Sequence, residues 1–288
     1  MGQLKRIAPL LALLALAGCT LRGIALRSTT ALLERGAPAF YEETDPQLGR
    51  ESLAAQLKLL EALLRNEPGN RRLLLLAAEG FSGYAFLFLE DSQPERAKGF
   101  YLRGRDYALR ALARKATFAR LAELDLESLE KALKTARRED VAALFWAAFA
   151  WAGWINLSRD SPHALAELPR TVGLMQRVRE LDPQFHFAGS DLFFAVYYAS
   201  RPAILGGNLG KARSHFLEAR RRTEGKYLMA YVLEARHLAV QAQDRELFQE
   251  LLSKVREAKA GSLPNAGLTD AVAKDKARAL AEKADDYF

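Results

Sequence analysis

Phe145-Trp146-Ala147-Ala148-Phe149-Ala150-Trp151-Ala152-Gly153-Trp154-Ile155-Asn156 holds no charged residue and is bounded by Asp140 and by Ser158-Arg159-Asp160-Ser161-Pro162. At about 100° per residue the three tryptophans spread round a helix, while Phe145 and Phe149 share a side. A helix that is apolar nearly all round is buried on most faces. The stretch therefore predicts a central helix over 140–157 in an all-α protein. Asn156 falls on the side of Phe145 and Phe149 and needs a partner there. Two uses of the rings stand open: they fill the middle of a wide helical array, or they form one wall of an apolar channel with Asn156 as its polar fixture.

Outward from this segment the chain reads as helix after helix. Val, Ile and Thr are sparse, the good helix formers Ala, Leu, Glu, Arg and Lys dominate, and no period-2 strand stands out. Helical spacing of Leu53, Leu57, Leu60 and Leu64 predicts a helix over 47–65, stopped by Asn66-Glu67-Pro68-Gly69-Asn70. Further helices are predicted over 71–89, 95–113, 162–181, 191–200, 209–222, 227–241, 244–259 and 268–284. Residues 114–138 are charged and read as a helix or helical loop. Gly80 and Gly83 are expected to allow close helix approach. Gly206-Gly207-Asn208 reads as a turn, because it lacks a phosphate-loop pattern. Gly83-Tyr84 recurs as Gly153-Trp154 in a weak internal echo, an offset near two tetratricopeptide periods of about 34 residues. The expected fold is an all-α, tetratricopeptide-like helical-repeat solenoid of antiparallel helix pairs.

The 288 residues are 50% hydrophobic and 27% charged, enough for a real core and too apolar for disorder. A single cysteine excludes a disulfide scaffold. No uninterrupted apolar stretch reaches the length of a membrane span, which argues against a multispan protein. The N-terminus has Lys5-Arg6, an apolar run from Ile7, and then Leu16-Ala17-Gly18-Cys19. Basic start, short apolar region and small residues before cysteine make a lipoprotein signal over 1–18, with Cys19 as the lipidated residue. Residues 19–38 read as lipidated N-terminus and tether, and 39–288 as the helical domain. Thr20 stands where Asp would signal inner-membrane retention, so outer-membrane attachment facing the periplasm is expected. Loss of Lys5 and Arg6 with the signal lowers the formal charge from +7 to +5. For an exported protein this mild excess points away from nucleic acid and toward an acidic partner or anionic ligand.

Phe194, Tyr197, Tyr198 and Arg201 also share a helical face. An arginine beyond three rings suits a ligand with an apolar body and a carboxylate head. The competing use is a C-terminal arginine favoured by the helix dipole before Pro202. Phe81, Tyr84 and Phe88 share a face, with Phe86 opposite. The candidate channel lining is Tyr84, Trp146, Phe149, Trp154, Asn156, Phe194, Tyr197, Tyr198 and Arg201. His163, His186, His215 and His237 are scattered, and neither a zinc spacing nor a Gly-x-Ser-x-Gly elbow occurs. No enzyme, cofactor or metal is expected.

Long strings in the chain resemble the T-component (TatT) family of tripartite ATP-independent periplasmic (TRAP) transporters. They include Phe40-Tyr41-Glu42-Glu43-Thr44-Asp45-Pro46, Tyr101-Leu102-Arg103-Gly104-Arg105-Asp106-Tyr107-Ala108, the segment 145–156, and Tyr197-Tyr198-Ala199-Ser200-Arg201-Pro202. The resemblance runs from Phe40 to about Leu252 and is weak over 114–138 and after 260. It implies a helical-repeat lipoprotein that forms a homotrimer with a pore through each subunit. It also implies a periplasmic solute-binding protein as partner and a small hydrophobic ligand passing between the two; the Arg201 face adds a carboxylate-bearing ligand as the other candidate. The alternative from the residues alone is an envelope scaffold whose repeats only grip other proteins.

Overall fold

The computed structural model describes residue 32 and residues 35–288. Cys19, the segment 1–18 and most of 19–38 lie outside the described residues. The chain divides into two units, Met1–Ala39 and Phe40–Phe288. Every helix named below belongs to the second. The described residues are all-α and contain no strand.

Helix α1 (Pro46–Asn66) starts at Asp45, whose carboxylate accepts the amides of Gln47 and Leu48 at 2.9 and 3.2 Å. It buries the stripe Leu53, Leu57, Leu60 and Leu64. Asn70 caps α2 (Arg71–Tyr84) in the same way, accepting from the amides of Arg72 and Leu73. The predicted helix then widens into a π turn over Ala85–Leu89. By length and composition Arg71–Leu89 could cross a membrane. Here it packs on α1 and on α3 (Pro94–Leu112). Short 3-10 turns and α4 (Leu126–Lys134) fill the charged region. Next come α5 (Val141–Asn156), α6 (Pro162–Ala166) and α7 (Leu168–Leu181), so the predicted helix over 162–181 is split. Pro169 lies at the second position of α7, where a helix tolerates proline because no backbone donor is needed.

Helix α8 (Phe185–Ala199) starts earlier than its sequence pattern indicates. His186, Phe187 and Ala188 are left-handed, with φ of 47°, 57° and 58°. Non-glycine residues resist that region at roughly 1–2 kcal/mol each. Ring contacts oppose the cost: Phe187 stacks on Tyr227 at 4.5 Å, and Phe185 meets Phe145 edge-on at 5.2 Å. The turn before α9 (Leu209–Arg222) is confirmed. Gly206 has φ of 86°, and a Cβ on Gly207 would lie 1.8 Å from the carbonyl oxygen of Arg201. Helix α10 (Leu228–Leu233) runs into a second π turn, Glu234–Ala239, and α11 (Arg245–Glu257), α12 (Gly267–Glu282) and α13 (Ala284–Tyr287) complete the chain.

Helix α5 is the hub: it contacts α2, α3, α7 and α8. Its residues from Ala143 to Ala148 are all buried, as an uncharged helix requires. Gly153 lets α5 approach Tyr101 of α3, since a Cβ would sit 2.5 Å from that ring. Gly80 does the same for Leu57. Gly83, expected to act alike, faces open space with nothing within 4 Å.

Helices α7, α8 and α9 are clipped by one carboxylate. Asp191, fully buried, accepts from Arg179 Nε at 3.0 Å, Arg222 Nε at 3.1 Å and His215 Nδ1 at 2.9 Å. Burial pushes its pKa up, but the bonds from His215 and Arg179 outweigh that and hold it below the ordinary carboxylate value.

The succession of helices returns to its start. α12 packs on α1, with Leu268 filling the place left by Gly49, and Gly267 lies on the backbone of Glu42. Asp91, just after the first π turn, pairs with Arg236 of the second at 2.6 Å and with Lys276 of α12. A stack of pairs that touches only nearest neighbours has free ends. Here the first and last long helices meet. A Cβ at residue 267 would lie 2.5 Å from the Glu42 carbonyl oxygen. Gly267→Ala should therefore destabilise the protein by about 1–3 kcal/mol, seen as a lower urea midpoint. An unchanged midpoint would show that stability does not rest on this contact.

Candidate functional site

Three groups of rings lie where these helices meet. In the central one Phe149 of α5 meets Phe86 of the first π turn at 5.5 Å, Tyr101 of α3 at 6.3 Å, and Phe145 and Trp146 of its own helix. His186 of the left-handed turn closes onto Trp146 at 4.7 Å. A second group has Tyr84 against Phe88 and Phe100, with the Arg103 guanidinium 3.9 Å over Phe81. The third lies on α8: Phe194 and Tyr198 stack on His215 of α9, and Phe193 stacks on Tyr197.

The candidate residues thus separate. Tyr84, Trp146 and Phe194 are buried packing residues, while Phe149, Trp154, Tyr197 and Tyr198 are half-buried. Trp146 and Phe149 are neighbours, and Tyr84 belongs to another ring group. The α8 face is divided, because Phe194 and Tyr198 are spent on α9. Arg201 stands 3.9 Å over the Tyr197 ring and donates to the Tyr197 carbonyl at 3.0 Å. Trp154 has no ring partner among the described residues. Asn156 finds its partner within its own turn, accepting from Nε of Arg159 at 3.0 Å and from a second guanidinium nitrogen.

The sequence reading gives no site role to several polar groups near these rings. Glu79, Glu90, His186 and His237 are each deep among protein atoms, yet each keeps accessible surface. These side chains are therefore surrounded by protein atoms and only partly open to solvent. Burial raises Glu79 to about 7, only partly offset by its bond to Tyr41. Glu90, also raised by burial, accepts from the Tyr101 hydroxyl. His186 is lowered to about 4 by burial, and His237 to about 3 by burial and then by Arg236 and Arg159. His237 Nδ1 lies 3.1 Å from Ser200 Oγ. Phe86, Phe88 and His237 sit on or beside the π turns, whose extra residue per turn shifts side-chain directions off the regular helical register. No group of three His, Cys, Asp or Glu side chains converges among the described residues. The arrangement offers rings, tyrosine hydroxyls, neutral imidazoles and guanidinium groups, which suits holding an organic molecule.

A model of the TRAP transporter T-component family matches residues 42–288, and the chain belongs to that family. The match extends through residues 114–138 and the C-terminal tail, where the resemblance of individual motifs is weak. The family is a transporter-component family rather than an enzyme family, and it places the chain among envelope proteins. A protein of Treponema pallidum (strain Nichols), itself described only as an uncharacterized protein, is 27% identical over 308 aligned positions, covering 94% of each chain.

Glu79 gives a pH test of the inner wall. Its folded-state pKa of about 7 lies above the ordinary 4.5. Its stabilising share is therefore complete below about pH 4.5 and is lost as pH rises through about 7. Glu79→Gln keeps a neutral side chain beside Tyr41, so at pH 8 the variant should be about 1–3 kcal/mol more stable than the parent. The gap should close toward pH 4.5 in urea titrations. A gap that does not change with pH would refute the placement of this carboxyl.

Proposed function

We propose that this chain is a lipid-anchored accessory protein of a TRAP-type transport system, held through Cys19 at the outer membrane and facing the periplasm. It docks a periplasmic solute-binding protein and binds a small apolar or amphiphilic organic ligand in an interior channel, working as a homotrimer of tetratricopeptide-like subunits. No bond chemistry is involved. The observation that carries the reading is the half-buried aromatic surface of α5 and α8, in a chain of the T-component family. Rings that keep accessible surface beside acids and imidazoles whose charged forms burial disfavours support an apolar guest, which gains roughly 25 cal/mol per Å² of area removed from water.

A second reading has its own support. Ile204 is 93% exposed, and Leu205 and Leu217 are exposed nearby in sequence, a surface suited to protein contact. A scaffold that only grips other proteins would use that surface and bind no small guest.

Burial decides which variant separates the two. Phe194 is 5% exposed, and a charge there would unfold the α8–α9 contact. Trp154 is half-buried without a ring partner, so Trp154→Glu should leave the melting temperature within a few degrees of the parent. It should weaken binding of the apolar fluorophore N-phenyl-1-naphthylamine by about tenfold, the loss expected when ring contact is exchanged for charge. Equal affinities, or no binding to the parent, would favour the scaffold.

A further inference from the structure

The C-terminal ends of α1, α3 and α4 meet the N-terminal ends of α2 and α5, and arginines tie them together. Arg110, in the last turn of α3, donates to the Pro68 carbonyl at 2.9 Å, and Arg114 donates to that of Gly69 at 2.9 Å. Both acceptors lie in the turn between α1 and α2. Arg71, at the start of α2, donates to the Glu139 carbonyl ahead of α5. Arg177 of α7 donates to the Ala136 carbonyl, just past α4, at 2.8 Å. These bonds bring residues 65–72, 110–115 and 134–140 to one end of the helical domain.

Those three segments hold nine lysines and arginines against three acids, a surplus of six in a chain whose whole surplus is +7. Arg65, Arg110, Arg114, Lys134, Arg137 and Arg138 are exposed. The acids are already engaged: Glu139 and buried Asp140 both pair with Lys115, at 2.8 and 2.6 Å, and Glu67 accepts from Asn70. Arg138 reaches Asp182 at 3.4 Å, while Arg65, Arg71, Arg110, Arg114 and Arg137 form no ion pair with a carboxylate among the described residues. A backbone carbonyl is a dipole and leaves the guanidinium charge in place.

The ordinary use of such cations is to face helix C-termini, and it accounts for Arg65, Arg110 and Lys134. It does not account for Arg71 and Arg72, which lie in the first turn of α2 where the dipole disfavours a cation. Nor does it absorb the surplus. Three C-termini bring about half a negative charge each, and the N-termini of α2 and α5 return about half a positive charge each. A protein-binding face keeps an apolar core inside its polar rim. Here none of the exposed large hydrophobic side chains among the described residues falls in the three segments.

We propose that this arginine-rich end rests on an anionic phospholipid surface, with its guanidinium groups against lipid phosphates. Guanidinium forks match phosphate oxygens in bidentate fashion, and such adsorption needs no apolar insertion. Each cation held near the surface adds its own increment of attraction. The proposal needs no interior ligand site; it assigns the end of the helical domain that faces a membrane.

Co-sedimentation of the purified full chain with two kinds of vesicle tests it: phosphatidylcholine alone, and phosphatidylcholine mixed with phosphatidylglycerol. The parent should partition at least tenfold more strongly onto the anionic vesicles, and added salt should remove the difference. Arg65→Gln and Arg137→Gln should each weaken binding to the anionic vesicles by about fivefold and leave binding to phosphatidylcholine unchanged. Both side chains are exposed and take no part in the carbonyl bonds above, so these variants keep the fold even if Arg110→Gln does not. Equal partition onto both vesicles would overturn the proposal. So would an anionic preference that neither substitution reduces, since charges elsewhere in the chain would then carry it. Binding of polyglutamate without binding of anionic vesicles would also overturn it and assign the end to an acidic protein.

Discussion

A helix of sixteen residues without a single charge cannot face water on any side for most of its length. Helix α5 meets that constraint by drawing α2, α3, α7 and α8 around itself. Ala143, Ala147, Ala148 and Ala150 leave room for neighbouring backbones, while Phe145, Trp146 and Trp151 fill the space between them. Near its C-terminus the demand relaxes. Ala152, Gly153, Trp154 and Asn156 are only half-buried, so the same helix that anchors the core at one end borders accessible space at the other. Core and candidate site are thus two ends of one element, and a change that loosens the first will displace the second.

The return of α12 to α1 also brings the Lys276 ammonium over the Phe86 ring of the first π turn, 5.7 Å from its centroid. The two π turns are linked through Asp91 and Arg236, and Lys276 of α12 shares that carboxylate. Burial raises the pKa of Asp91, but Lys276 and Arg236 outweigh it and hold the group ionised. A partly exposed ion pair of this kind adds little to stability. Its contribution here is positional, because it fixes the closing helix against the segment that carries Phe86 and Phe88.

The parts of this design that were legible in sequence are those encoded by composition and local stops. The uncharged stretch 145–156 marks α5, and Asn66-Glu67-Pro68-Gly69-Asn70 separates α1 from α2, because such signals act over a few residues. The π turns were read as regular helix, since one additional residue in a turn leaves no compositional trace. The left-handed residues His186, Phe187 and Ala188 were invisible for a stronger reason. Nothing in those side chains favours positive φ, and the conformation is held by Phe145 and Tyr227, which lie far away in sequence. Phe194 and Tyr198 share a face with Tyr197 by spacing alone. Only the position of His215 shows that they are used to hold α9.

The buried titratable groups show two kinds of charge behaviour. Glu79 changes ionisation near neutral pH, because burial opposes its charged form and only a tyrosine hydroxyl supports it. The surroundings of His237 do not change in that range. Guanidinium groups keep their protons, and His237, pressed by burial and by two arginines, stays neutral well below neutral pH.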